Sequence, residues 1–216
     1  MNTKFLATLL LLGITQTAQA GVINFDNLSL NDFDDIATNY GSHGAGGAGD
    51  SRVGVSYSGS NSTTTHLDFW NNNYGDLSKV AFSPSDGTLA RISFTSNAGW
   101  LISSIRFDLA GWFDQDRAAR TVVYNIGGNT VTLIDEPIEG DFTGNRHSSF
   151  SLSDMGSTAY IEWGNDWNIG IDNIEFTVVA DPNFNGRAPE PAGLALLGSA
   201  LGLLALQRRR NARRSS

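Results

Sequence analysis

The sequence predicts an all-β protein: a two-sheet antiparallel jelly-roll sandwich over residues 21–180. Three observations lead to this fold class. Short runs of alternating apolar and polar residues recur, and this period of two is typical of strands with one buried face. Gly, Ser, Asn and Thr are abundant between the runs, where they mark turns. No repeat of 20–50 residues is visible, which argues against a solenoid or a propeller.

The strands follow in order from this pattern. In residues 104–110, Ile105, Phe107 and Leu109 share one face, while Arg106 and Asp108 project from the other. The two glycines and the asparagine at 127–129 are typical of a hairpin turn. One helical turn is predicted, at 32–40, and the glycine-rich stretch 41–51 is interpreted as a flexible loop. The predicted strands are residues 22–25, 53–57, 91–95, 104–110, 121–126, 130–134, 160–163 and 171–179.

Residues 1–20 have the organisation of a secretory signal peptide. Lys4 supplies the positive charge, a short apolar run follows, and Ala18-Gln19-Ala20 forms a small-x-small cleavage site. The apolar run is shorter than the roughly 20 residues that a spanning helix needs. We therefore expect export and a mature chain that begins at Gly21.

The carboxyl-terminal residues have three parts in order. Residues 181–188 form a linker, Pro189-Glu190-Pro191 follows, and residues 192–206 are apolar or small. This run is marginal for spanning a bilayer, although snorkelling arginines extend its reach. A basic cluster follows this run, and we expect it to hold the last residues on the cytoplasmic side of the membrane. Its residues are Arg208, Arg209, Arg210, Arg213 and Arg214.

This order over residues 189–214 resembles the PEP-CTERM sorting signal. The resemblance implies a Gram-negative bacterium, and recognition of the tail by an exosortase-type membrane transpeptidase that removes the apolar helix. It also implies a transient stay in the inner membrane, then the cell surface or an extracellular polysaccharide or biofilm matrix. The alternative is a plain tail anchor.

Charge and cysteine content exclude some functions. The chain carries a net charge of −8, but between Gly21 and Pro191 eight basic residues stand against 22 acidic ones, a net −14. Such a surface repels nucleic acid and attracts cations, so DNA or RNA partners are not expected. The chain has no cysteine, so no disulfide stabilises the domain.

Catalytic motifs are weak. The three histidines, His43, His66 and His147, are far apart and lack the spacing of a metal-binding motif. A secreted polysaccharide hydrolase is the alternative function, and it needs two carboxylates about 5–9 Å apart in a cleft. We expect no enzyme. The candidate carboxylates are Asp114 with Asp116, Asp135 and Glu136 with Glu139, and Glu162 with Asp166.

Aromatic residues among asparagines and aspartates are the best binding candidates. Flat pyranose faces stack on aromatic rings, while amides and carboxylates bind the hydroxyl groups. Large aromatics also fill β-sandwich cores, and we expect Trp100 and Trp163 to do so. A purely structural matrix protein therefore remains a third possibility. The candidate sugar-binding residues are Trp70, Tyr74, Trp112 and Trp167.

A second resemblance rests on the start of the mature chain, residues 100–112, and the Ile-Asp-Asn-Ile run in 169–176. These segments resemble galactose-binding-like jelly rolls and calcium-dependent carbohydrate-binding modules. In the period of two, Asp172 shares a face with Ile174 and Phe176, which predicts an inward carboxylate. Such a group needs a partner or a metal, and Ca²⁺ prefers oxygen ligands. The expected structural Ca²⁺ ligands are Asp172 and, from the resemblance, Asp26; a turn cap at Asp172 is the alternative.

Overall fold

A computed structural model describes residues 18–59, 66–84, 88–141, 146–164 and 167–184. Residues 1–17 of the predicted signal peptide, residues 185–188 of the predicted linker and the predicted sorting segment 189–214 lie outside the described residues. Within the ranges that are described, no helix has the length and apolar character needed to cross a membrane.

The described chain is built from β-strands, as the alternating pattern predicts. All eight predicted strands have a counterpart; several are longer than expected, and the first lies at Gln19–Ile23 rather than at 22–25. Three strands, Asp68–Trp70, Val80–Phe82 and Ser148–Gly156, were not predicted, because the first two have only three residues each and the third is polar and serine-rich. The strands are β1 Gln19–Ile23, β2 Val53–Gly59, β3 Asp68–Trp70, β4 Val80–Phe82, β5 Ala90–Ser96, β6 Trp100–Gly111, β7 Arg117–Ile126, β8 Asn129–Ile138, β9 Ser148–Gly156, β10 Thr158–Gly164 and β11 Ile169–Ala180.

The strands form two antiparallel sheets, which confirms the predicted sandwich. The first sheet has the order β3-β4-β11-β6-β9, and β1 also pairs with β11. The second sheet has the order β2-β5-β10-β7-β8. Strand β1 begins at Gln19, which pairs with Val178, and its last three residues, Gly21 to Ile23, follow the predicted cleavage site.

One hydrophobic core lies between the sheets. Phe94 on β5 meets Phe176 on β11 with ring centroids 5.4 Å apart, and Phe107 on β6 meets Tyr124 on β7 at 5.5 Å. Trp163 is completely buried in this core, as predicted. Trp100 packs at its margin, beneath the guanidinium group of Arg52.

The hairpin between β7 and β8 confirms the predicted turn. Ile126 pairs with Asn129, so that Gly127 and Gly128 form the two-residue connection. Both glycines have positive φ, at 59° and 100°. Two-residue hairpin turns need this backbone conformation, and glycine adopts it without steric cost.

The segment predicted as a helical turn contains no helix. Residues 32–40 consist of turns and a bridge between Asp35 and Asp68. The helical prediction was wrong because residues 33–36 hydrogen-bond to the edge of the first sheet: the Ile36 N–H donates to the Leu67 carbonyl at 2.8 Å. Among the described residues, the helical structure is one 3-10 turn at Ala45–Gly47.

A bulge in β11 changes the face on which Asp172 lies. Ile169 and Ile171 are core residues, so Asp172 follows on the opposite face, opposite Asp108 of β6. The register shifts between Asp172 and Glu175, where Asn173 has a φ of 52°. The face assigned to Asp172 from strict alternation was therefore wrong, because one extra residue reverses the phase of a strand.

Candidate functional site

Four loops meet at one end of the sandwich. They connect β3 to β4, β6 to β7, β8 to β9 and β10 to β11, and they begin or end where the strands of both sheets terminate. Loops held by a rigid scaffold are common positions for binding residues. This end of the domain also contains the four aromatic residues that the sequence nominates.

All four nominated aromatic side chains line one pocket of about 200 Å³. Two further aromatic residues complete the wall: Phe33, from the segment before β2, and Phe82, from β4. Trp112 contacts Trp70 and Trp167 in edge-to-face geometry, with ring centroids 6.2 and 4.7 Å apart. The lining residues are Phe33, Trp70, Tyr74, Phe82, Trp112 and Trp167. We call this the aromatic pocket.

The pocket residues differ in their exposure. Tyr74 is 1 % exposed and forms the floor, where its hydroxyl donates to the Trp167 carbonyl. Gly170 permits this packing, because a Cβ there would lie 2.9 Å from the Tyr74 ring and 2.5 Å from Val80. Trp167 is 36 % exposed. Of the nominated residues, Trp167 therefore offers the most accessible ring surface, while Tyr74 supports the others from below.

A polar depression of about 320 Å³ uses two of the loops that form the aromatic pocket. Arg146 crosses it and donates to the Gly75 carbonyl at 2.6 Å and to Asp114 Oδ1 at 3.3 Å. Several of its side chains present amide, carboxylate and hydroxyl groups that can hydrogen-bond to a polar ligand. It is lined by Asn72, Asn73, Gly75, Asp76, Leu77, Ser78, Asp114 and Arg146.

Backbone strain occurs between the aromatic pocket and the polar depression. Phe113 and Asp114 have φ values of 62° and 48°, and Asn73 has a φ of 67°. The N–H groups of Phe113 and Asp114 both donate to the Asn73 carbonyl, at 2.6 and 3.2 Å. Consecutive non-glycine residues in this conformation cost energy and concentrate at functional sites. Here the turn leaves the Phe113 side chain exposed beside Trp112.

Phe33 and Phe82 are pocket residues that sequence reasoning missed. Phe33 lies in the segment that we interpreted as helical, and it contacts Trp70 at 4.9 Å in edge-to-face geometry. Phe82 lies in a three-residue strand that was not predicted. Spacing did not link either residue to the tryptophans, because the contacts depend on pairing between distant segments.

The predicted calcium ligand Asp172 is 2 % exposed. The Phe25 N–H donates to its Oδ1 at 3.2 Å. The pKa of Asp172 is raised to about 7: burial is the main cause, hydrogen bonds from the Asn173 and Phe25 N–H groups oppose the rise, and the nearby carboxylates Asp26 and Asp108 contribute to it. The structure therefore brings the two predicted ligands close enough to interact, and it adds Asp108 as a third carboxylate.

The surroundings of Asp172 are rich in oxygen atoms. Asp108 accepts hydrogen bonds from Ser149 Oγ at 2.6 Å and from Asn173 Nδ2 at 3.0 Å. Asp26 Oδ1 accepts from Ser78 Oγ at 2.6 Å. The Lys79 ammonium group binds the carbonyl of Asp26 at 2.7 Å rather than its carboxylate. Carboxylate oxygens are ligands that a hard cation such as Ca²⁺ prefers, but the ligand atoms of Asp26, Asp108 and Asp172 do not all lie within 4.8 Å of one another.

The candidate catalytic carboxylates have other partners or positions. Glu162 is paired with Arg91 at 3.2 Å, and Asp114 with Arg146. Asp116 Oδ1 accepts the N–H groups of Gly140 and Asp141. On β8, Asp135 is exposed and Glu136 is half-buried, whereas Asp166 lies outside the described residues. None of the candidate carboxylates that the structure describes lines the aromatic pocket.

No protein-family model matches the chain, and no curated protein matches it. Among solved structures, the enzymatically active domain of tailspike protein 4 from bacteriophage CBA120 is similar over 69 % of this chain, at 16 % identity and a TM-score of 0.34. The chain spans about a fifth, 21 %, of that chain's length. A CBM35 module from Cellvibrio japonicus is similar at 14 % identity and a TM-score of 0.31, covering 75 % of this chain and 97 % of the module. At these values, neither similarity assigns the chain to a family.

Proposed function

We propose that this chain is an exported β-sandwich protein that binds carbohydrate without catalysis. The observation that carries the proposal is the aromatic pocket, in which residues from five separate segments converge at the surface. Aromatic rings stack on the apolar faces of sugars, and the adjacent polar depression supplies groups for the hydroxyls. A volume of about 200 Å³ lies below the usual 300–1,000 Å³ of ligand pockets, so it suits one sugar ring of a longer chain.

A substitution of Trp167, whose ring is accessible, tests this proposal. We expect the full chain to bind specific glycans on an array of neutral and acidic glycans. Trp167→Ala should weaken binding to the best of them by about 1–3 kcal/mol, or roughly 5- to 150-fold, by analogy with stacking on bases. The affinities are measured by calorimetry with that glycan.

Trp100→Ala is the matched control, because Trp100 lies at the opposite end of β6 from Trp112. We expect it to leave glycan affinity unchanged. If no glycan is retained, or if the Trp167 and Trp100 variants bind equally well, the carbohydrate proposal fails.

We propose a structural Ca²⁺ ion bound by Asp26 and Asp172, with Asp108 beside them. The support is a buried carboxylate whose pKa is raised in part by two more carboxylates. An ionised carboxylate in such a place is costly without a cation. The ion would connect the segment after β1 to the last strand, which are 147 residues apart at the Phe25–Asp172 hydrogen bond.

We propose export and sorting from the two ends of the sequence. The support is the signal-like segment 1–20 together with Pro189-Glu190-Pro191, the apolar run and the arginines after it. Residues before Gly21 and after Pro191 should be missing from protein isolated from the native cell surface. Intact-mass measurement tests both ends, and a mass that includes residues 192–216 would leave a tail anchor in place of sorting.

A further inference from the structure

A second cluster of polar groups lies on the outer side of the first sheet, at its edge. Residues 33–36 pair with this edge: the Phe33 N–H donates to the Phe69 carbonyl at 2.9 Å, and the Phe69 N–H to the Asp34 carbonyl at 3.0 Å. This pairing places Asp35 opposite Asp68. His66 is two residues before Asp68, so the period of two places both on one face.

The distances within this cluster are too long for good hydrogen bonds. His66 Nε2 lies 3.4 Å from Asp35 Oδ1 and 3.6 Å from Asp68 Oδ1, whereas N–H···O bonds are usually 2.7–3.2 Å. One ligand atom from each residue lies within 4.8 Å of the other two. Ligands held about 2.0–2.2 Å from a tetrahedral Zn²⁺ ion are roughly 3.3–3.6 Å apart. The two measured distances match the edges of such a tetrahedron.

The charges and exposure of the cluster also favour a cation. Asp68 is buried, and its pKa is raised to about 6: burial is the main cause, His66 opposes the rise and the neighbouring Asp35 contributes to it. Among the described residues, neither Asp35 nor Asp68 forms an ion pair with lysine or arginine. The Asp35 side chain is 69 % exposed, so the cluster is open to solvent on one side.

We propose that Asp35, His66 and Asp68 bind a divalent transition metal of the Zn²⁺ type, with a fourth position open to water or to a ligand oxygen. One imidazole and two carboxylates select such an ion over Ca²⁺, which binds oxygen alone. Trp70 of the aromatic pocket lies two residues from Asp68 on β3, so the period of two places both side chains on one face, and Phe33 contacts Trp70 at 4.9 Å. The metal cluster therefore lies next to the Trp70 side of the pocket. The histidine spacing in the sequence did not reveal this site, because strand pairing brings Asp35 to it.

Zn²⁺ alone is the probe. The chelator-treated full chain is titrated with Zn²⁺ by calorimetry in excess Ca²⁺, so that an oxygen site at Asp172 is already occupied. We expect one high-affinity site in the wild type. Asp35→Asn and His66→Gln should each weaken it at least tenfold, since each removes a direct ligand. His147→Gln is the matched control, because His147 also contacts two carboxylates, Asp76 and Asp108.

Co²⁺ gives an independent readout. Tetrahedral Co²⁺ absorbs strongly in the visible region, and we expect this absorption in the wild type and the His147 variant but not in the Asp35 variant. Because Asp35 is exposed, its substitution leaves the core intact even if the His66 variant does not fold. The proposal is wrong if the wild type does not bind Zn²⁺, or if Asp35→Asn and His147→Gln bind it equally well. Glycan binding by the aromatic pocket is measured separately and is not needed for either result.

Discussion

Asp172→Asn is expected to remove a large pH dependence from the stability of the calcium-free protein. The folded-state pKa of Asp172 is raised from 3.8 to about 7, so the folded state binds this proton more tightly than the unfolded state does. The resulting stability is fully present below about pH 4 and is lost as the pH rises through 7. The shift corresponds to on the order of 4 kcal/mol, at about 1.4 kcal/mol for each pKa unit.

Urea unfolding with chelator present, at pH 4 to 8, measures this effect. We expect the free energy of unfolding of the Asp172→Asn variant to decline less with pH than that of the wild type, and to exceed it at pH 8. Asp154→Asn, at an exposed position on β9, is the matched control and should parallel the wild type. Parallel curves for Asp172→Asn and wild type would show that Asp172 ionises freely in the fold.

Calcium should restore the folding stability that the ionisation of Asp172 removes. An ion that binds only the folded state stabilises it by RT ln(1 + [L]/Kd), or about 2.7 kcal/mol at a hundredfold excess over Kd. At pH 8, Ca²⁺ should therefore raise the melting temperature of the wild type, chelator should lower it, and Asp172→Asn should abolish the difference. An unchanged melting temperature would leave Asp172 as a cap for the Phe25 N–H.

Trp163→Ala is expected to destabilise the domain by about 3–5 kcal/mol, the usual cost of deleting a large buried aromatic. Trp163 is 0 % exposed, and its indole N–H donates to the Ile169 carbonyl at 3.1 Å. The deletion creates a cavity between the sheets and leaves that carbonyl without its indole donor. Denaturant unfolding measures the loss.

Trp167→Ala provides the contrast, because Trp167 lies only four residues away but is partly exposed. We expect it to cost much less stability than Trp163→Ala while reducing glycan binding. Equal losses of stability in the two variants would assign Trp167 to the core and remove it from the binding site.

The strands of this protein were predictable where local chemistry decides them. Alternation identified β5 and β6, and two adjacent glycines followed by an asparagine identified the β7–β8 hairpin, because both signals depend on neighbouring residues. The clustering of tryptophans with asparagines and aspartates likewise nominated Trp70, Trp112 and Trp167 before any contact was known. Exposure did not follow from this pattern: Tyr74 has the same sequence context, yet it forms the floor of the pocket.

Local sequence patterns were enough to establish the all-β class, the hairpin and the aromatic candidates, and they support hypotheses about both ends. The face that Asp172 occupies depends instead on the folded sheet, because a single bulge at Asn173 reverses the phase of β11. The contacts of Phe33 and of the Asp35–His66–Asp68 cluster also depend on the folded sheet. Their contacts depend on pairing of residues 33–36 with 66–69, and the register between segments about 30 residues apart is set by the whole sheet rather than by local periodicity.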